Sequence, residues 1–261
     1  MISRTLHIAR RESMEIARQP ILLAVVLTLI VGIALLGGAS LFVLDRLVSA
    51  EGFASNLEIF GPAYGVHGAE GFAAFTRLVV HAVNFLLFTQ FLGVSAVLAG
   101  HTVLHEREVH ALPFLLLAPI RRTELVLGKV LGALAIPGAV YAAVVVVLGL
   151  FLHTLPITAP VADLLPPSGG WLAAFALAGP LWAFVVCTLC SIASAIAPDV
   201  RTAQQLVWLV VTAITLTVCY ALTVLVGAGA LPELVLALAG AFAFAISLGI
   251  ASATLGRDLA R

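Results

Sequence analysis

Apolar residues run along this chain in blocks much longer than a soluble helix or strand uses for its buried face. Six stretches, 21–44, 78–104, 126–152, 171–197, 203–227 and 231–256, are apolar nearly all round, with neither the alternation of a half-buried strand nor the single stripe of a surface helix. A helix needs about 20 such residues to cross ~30 Å of hydrocarbon, and each block is long enough. A backbone in lipid must satisfy its own hydrogen bonds, which a single run does as a helix. The pattern predicts an all-α integral membrane protein with six transmembrane helices. No repeat and no low-complexity linker divides it, so residues 1–261 read as a single transmembrane domain.

The interruptions are as informative as the blocks. The first block exceeds the 7–15 residues of a signal-peptide core and lacks a convincing cleavage site, so it reads as a retained span. Residues 45–77 form the largest connection, with room for short helices, and 153–170 are proline-rich. Pro166, Pro167 and Gly169-Gly170 precede the fourth block, which opens on Trp171, an aromatic suited to a membrane interface. Pro198 closes that block, and Asp199-Val200-Arg201 reads as a short exposed turn. Residues 228–230 leave almost nothing between the last two spans. Before the first span, residues 3–19 predict an interfacial helix. Its Leu6, Ile8, Ala9, Ile16 and Ala17 would lie toward the acyl boundary, with Arg4, Arg10, Arg11 and Arg18 reaching water or anionic headgroups.

Composition agrees with the pattern. The chain is 62% hydrophobic and 10% charged, with mean hydropathy +1.17, against about 45–50% and about 25% in soluble domains. The formal net charge is +0, so nothing points to a nucleic-acid partner. Charge placement sets the orientation. With the N-terminus inside, eleven of the 13 Lys and Arg fall on the cytoplasmic side, and only Arg46 and Arg77 fall outside. That asymmetry puts both termini in the cytoplasm and the chain in the inner, cytoplasmic membrane.

Chemistry concentrates between the second and third spans. Residues 105–124 bring a charged cluster (His105, Glu106, Arg107, Glu108), then a short apolar run from Phe114 to Ala118, then Pro119, Arg121 and Arg122. Gly128 and Lys129 follow at the head of the third span. The apolar run is too short to cross a bilayer. It predicts a short amphipathic helix at the cytoplasmic face, with charged flanks suited to a partner.

This segment resembles the signature of ABC-2-type permeases, the membrane subunits of ABC exporters. Glu106, Glu108, Leu112, Leu115, Leu116, Pro119, Arg122, Gly128 and Lys129 match that family in order and spacing, while His110-Ala111 and Pro113 depart from it. Ile8-Ala9-Arg10-Arg11-Glu12 and Asp199-Val200-Arg201-Thr202-Ala203-Gln204-Gln205 are similar to the family at the N-terminus and at the fifth span. The resemblance implies a coupling helix that docks a separate P-loop ATPase through Glu106, Arg107, Glu108, Pro119, Arg121, Arg122, Gly128 and Lys129. It also implies a second permease copy, as a homo- or heterodimer, with ATP and Mg bound by the partner and no cofactor on this chain. The sequence has no G-x-x-x-x-G-K-[ST] of its own. The large outer segment resembles permeases of accessory systems, such as those of copper-enzyme maturation or gliding, more than polysaccharide exporters.

Polar groups inside the spans are few. His81, Asn84 and Gln90 in the second span are candidates for a substrate path, or for hydrogen bonds between helices. No Asp, Glu, Lys or Arg sits at mid-membrane, which argues against ion-coupled transport, and the spans hold no catalytic constellation of an intramembrane enzyme. A non-transporting scaffold would share the docking segment. Cys187 and Cys190 form a C-x-x-C in an apolar run, which reads as small-residue packing before metal or redox chemistry, and no metal site is expected. Ala237, Ala241, Ala245, Gly249 and Ala253 give the sixth span a stripe for close helix packing.

Overall fold

The computed structural model describes residues 2–48, 68–108, 122–155, 177–197 and 199–227, together with positions 239, 240, 243, 246 and 247. Six helices account for nearly all of the continuous segments: α1 (Ile2–Ala17), α2 (Pro20–Val48), α3 (Gly68–Glu108), α4 (Arg122–His153), α5 (Gly179–Ile196) and α6 (Val200–Gly227). No strand occurs among the described residues. Among the described residues, three stretches are long and apolar enough to cross a membrane: Pro20–Val43, Phe85–Glu106 and Glu124–His153, with mean hydropathies of 2.8, 1.5 and 2.4. They fall on the first three expected spans. α5 and α6 occupy the fourth and fifth, and only the scattered helical positions from 239 to 247 represent the sixth.

Helix ends depart from the expected boundaries where local chemistry extends them. α6 begins at Val200 rather than 203 because Asp199 caps it: its Oδ1 accepts the Thr202 amide at 2.7 Å and its Oδ2 the Thr202 hydroxyl at 3.2 Å. A carboxylate there satisfies an orphan N–H and sits at the positive end of the helix dipole. At the other junction Ala197 turns extended, as a residue before proline must. The segment 45–77 is helical at both ends, since α2 runs to Val48 and α3 already starts at Gly68. α3 has 41 residues, hence a length of about 61 Å at 1.5 Å per residue, twice the hydrocarbon thickness. α4 contains Pro137, which removes one internal hydrogen bond and is tolerated where neighbouring helices pack around it.

α3 is the central helix: 67% of its apolar window is buried, against 28% for those of α2 and α4. It packs on α5, α4, α2 and α6. One core cluster gathers Leu41, Val80, Leu87, Leu92, Leu152 and Val186, with Phe91 stacked on Tyr141 at 4.3 Å between ring centroids. The second surrounds the joint between α1 and the bundle, with Ile16, Val26, Ile30, Leu98, Val130 and Cys187. The two thiols of the C-x-x-C are free and buried, one in each cluster, and act as packing groups. At Gly37 α2 lies close on α3: a Cβ there would stand 2.6 Å from Val83 Cγ1.

Candidate functional site

α1 owes its position to the face it turns inward. Thr5, Glu12 and Ile16 are buried and Ile8 and Ala9 half-buried, while Leu6, Met14 and Arg11 stay exposed. The spacing 5, 8/9, 12, 16 is one helical stripe. The sequence reading put Ile8, Ala9 and Ile16 toward lipid; they pack on protein instead, leaving Leu6 and Ala17 exposed. The reason lies in α4, which α1 contacts more extensively than any other element.

α4 opens with Gly128 and Gly132, one turn apart, and α1 lies across both. A Cβ at Gly128 would stand 2.6 Å from Ile8 Cβ and 3.2 Å from the Thr5 carbonyl oxygen. At Gly132 it would meet Glu12 Cβ and stand 2.8 Å from the carbonyl oxygen of Ala9. Backbone touches backbone here, an approach that only glycine permits. Sandwiched between the two glycines in sequence, Lys129 projects into the same joint. Its Nζ donates to Glu12 Oε1 at 3.0 Å and lies 2.5 Å from Glu106 Oε2. The second is an ion pair at close range. All three side chains are buried: Glu12 is 4% exposed, Lys129 6% and Glu106 8%. Glu124, also buried, sits in the first turn of α4, where the helix dipole favours an acid.

The cluster thus joins three elements. Glu12 comes from α1, Glu106 from the last turn of α3, and Lys129 from the second turn of α4. One ammonium faces two carboxylates in a site that excludes water. Burial pushes the Glu12 carboxyl above its ordinary range; Lys129 opposes this by charge and hydrogen bond, and Glu106 adds to it. Buried charges of this kind are tolerated only while paired.

Of the eight residues expected at a docking surface, Glu106, Gly128 and Lys129 therefore point into the protein. Arg107, Glu108 and Arg122 lie on helical backbone without described side chains, and Pro119 and Arg121 fall outside the described residues, as does the expected short helix at 114–118. The described helices confine the connection to residues 109–121. Glu12 was missed as a site residue, although an acid one turn from Ile8 and from Ile16 on the inward stripe was a visible signal. So was the Gly128–Gly132 spacing.

Among the residues expected along a substrate path, Gln90 lines a crevice of about 410 Å³ between α2, α3 and α6. Leu22 and Val26 of α2 and Trp208, Thr212 and Thr215 of α6 line it together with Gln90. His81 and Asn84 lie on α3, but their side chains are outside the described set. No group of three metal-ligating side chains occurs among the described residues.

Compared with known proteins, residues 6–235 match the family described as ABC-2 family transporter protein, from within α1 to beyond the end of α6. No curated protein and no solved structure matches the chain.

Proposed function

The chain belongs to the ABC-2 transporter family, whose members are membrane permeases of ABC transporters, and from that premise we propose that it is the exporter subunit driven by a separate P-loop ATPase docked on residues 105–124. Six spans, cytoplasmic termini, the inner membrane, and a pair of permeases with a pair of ATPases belong to the same proposal. ATP and Mg²⁺ are the partner's; this chain supplies the path and the mechanical connection.

The observation that carries this reading is the family match over 6–235, which includes the whole segment between α3 and α4. The buried cluster supports it. Both stems of residues 109–121 meet at Lys129, through Glu106 on one side and α4 itself on the other. A push on that segment is then shared by α3, α4 and, through Glu12, α1. Such a joint turns a displacement at the membrane face into movement of packed helices, because close-packed interfaces shift between discrete arrangements rather than deforming. The crevice beside Gln90 is the proposed route, with His81 and Asn84 on the same helix as further candidates.

The test is co-purification with a cognate ABC ATPase. Glu108→Lys combined with Arg122→Glu is expected to abolish recovery of the ATPase while membrane insertion is unchanged; Glu106 is left intact because a lysine there would face Lys129 in a buried site. Undiminished recovery would remove the docking role from this segment. Vesicle transport with the partner present then separates an exporter from a scaffold that only holds the ATPase.

A further inference from the structure

A second concavity lies on an exposed apolar side, between α2 and α4. Val31, Ala34, Leu35, Gly38, Ala39 and Phe42 supply one side at successive helical turns, and α4 supplies the other from Ala143 to Phe151. Its volume is about 590 Å³ and every lining side chain is apolar. Small residues make the trough: Gly38 lets the helices close to 3.1 Å from a Cβ there to Leu148 Cδ1. Leu35, 68% exposed, and Val147, 66% exposed, stand as its rims. Of the expected sixth span, Gly240 stands against Leu181 and Trp182 of α5.

The groove has one polar end. Phe42 and Phe151 close it as a tilted pair with centroids 6.5 Å apart, and the Arg46 guanidinium lies over the Phe42 ring at 5.1 Å. Arg46 is exposed and one turn beyond Phe42. It is also one of two cations on the side that eleven others avoid. From Val31 to Phe42 the groove spans twelve residues, about 16 Å, close to one leaflet's half of a ~30 Å hydrocarbon core. A transmembrane helix seated here would need twice that length. One acyl chain needs no more.

We propose that this groove binds one acyl chain of an outer-leaflet phospholipid and that Arg46 holds its phosphate. The guanidinium matches a phosphate oxygen pair in geometry and charge, and Phe42 beneath it fixes its position by cation–π contact. The alternative role for Arg46, a lone side chain reaching the interface, needs no groove below it. The inference rests on the orientation that puts Arg46 outside, which labelling of an Arg46→Cys variant with an impermeant thiol reagent checks separately.

The experiment is native mass spectrometry of the full chain from mild detergent. The detergent solution is supplemented in turn with phosphatidylglycerol, phosphatidylethanolamine, or diacylglycerol of the same acyl composition. One phospholipid is expected to stay bound, with diacylglycerol retained about fivefold less, the factor for one cation at a membrane surface. Arg46→Gln, a surface change that leaves the bundle intact, should reduce phospholipid retention to the diacylglycerol level, and Arg46→Lys should restore part of it. Ala143→Phe fills the trough and should remove both. Equal retention of all three lipids by the wild type and Arg46→Gln would reduce the finding to annular lipid only and overturn the proposal. So would a shift from dimer to monomer in Ala143→Phe with lipid unchanged, which would make the groove an interface between copies.

Discussion

Replacing Lys129 by Met removes the only ammonium between Glu12 and Glu106 while keeping the length and bulk of the side chain. Both acids are then left in a joint where they are 4% and 8% exposed. Deleting one partner of a buried ion pair costs roughly 3–5 kcal/mol, because the remaining charge has lost its water and gained nothing. The loss falls on α1 first, since α1 is held by Glu12 and by contacts that do not depend on charge. The triple replacement Glu12→Gln, Glu106→Gln, Lys129→Met removes all three charges and is expected to cost under about 2 kcal/mol, as neutral substitution of buried ion clusters often does. Two assays follow α1 and the bundle separately: protease cleavage near Arg18, where α1 joins α2, and thermal unfolding in detergent. Lys129→Met should expose that joint to cleavage and lower the melting temperature; the triple variant should recover most of both. Added salt should change little, since the cluster is shielded from solvent ions. If the single variant is no less stable than the triple one, the three charges are not coupled and the cluster is not what holds α1.

Gly132→Val should detach α1 by sterics alone, because Ala9 backbone lies where the new Cβ would go. Its signature is cleavage at the α1–α2 joint, with Ala in the same position already giving part of the effect. The raised Glu12 carboxyl gives a pH dependence of defined sign. Docked α1 binds that proton more readily than released α1, so docking weakens as pH rises from the ordinary carboxylate value of 4.5 and strengthens on acidification toward it. Spin-label distances between α1 and α4, measured across that window, should shorten in population as pH falls, and the dependence should vanish in Glu12→Gln.

The three long apolar helices were legible because lipid imposes one requirement on every residue of a crossing helix, and runs such as 21–44 satisfy it without help from partners. The joint was only half legible. Lys129 at the edge of an apolar run and Glu106 before it were visible as charges, but a charge near a membrane face reads equally as a docking group or as half of a buried pair. What decides is a third residue, Glu12, more than ninety positions away in sequence, brought in because Gly128 and Gly132 let α1 lie flat on α4. Sequence spacing carries no record of that crossing. The groove below Arg46 was hidden for a similar reason: Val31 to Phe42 and Ala143 to Phe151 each look like plain lipid-facing stripe until the two are set side by side.

α3 runs 41 residues with no proline along its length. Its last turn holds Glu106 in the buried joint, and its first stands about 57 Å away along the axis. A rod without a hinge does not distinguish input from output. A weight hung on the Gly68 end tilts the Glu106 end as surely as the reverse, so whatever touches the far end has leverage on the buried joint.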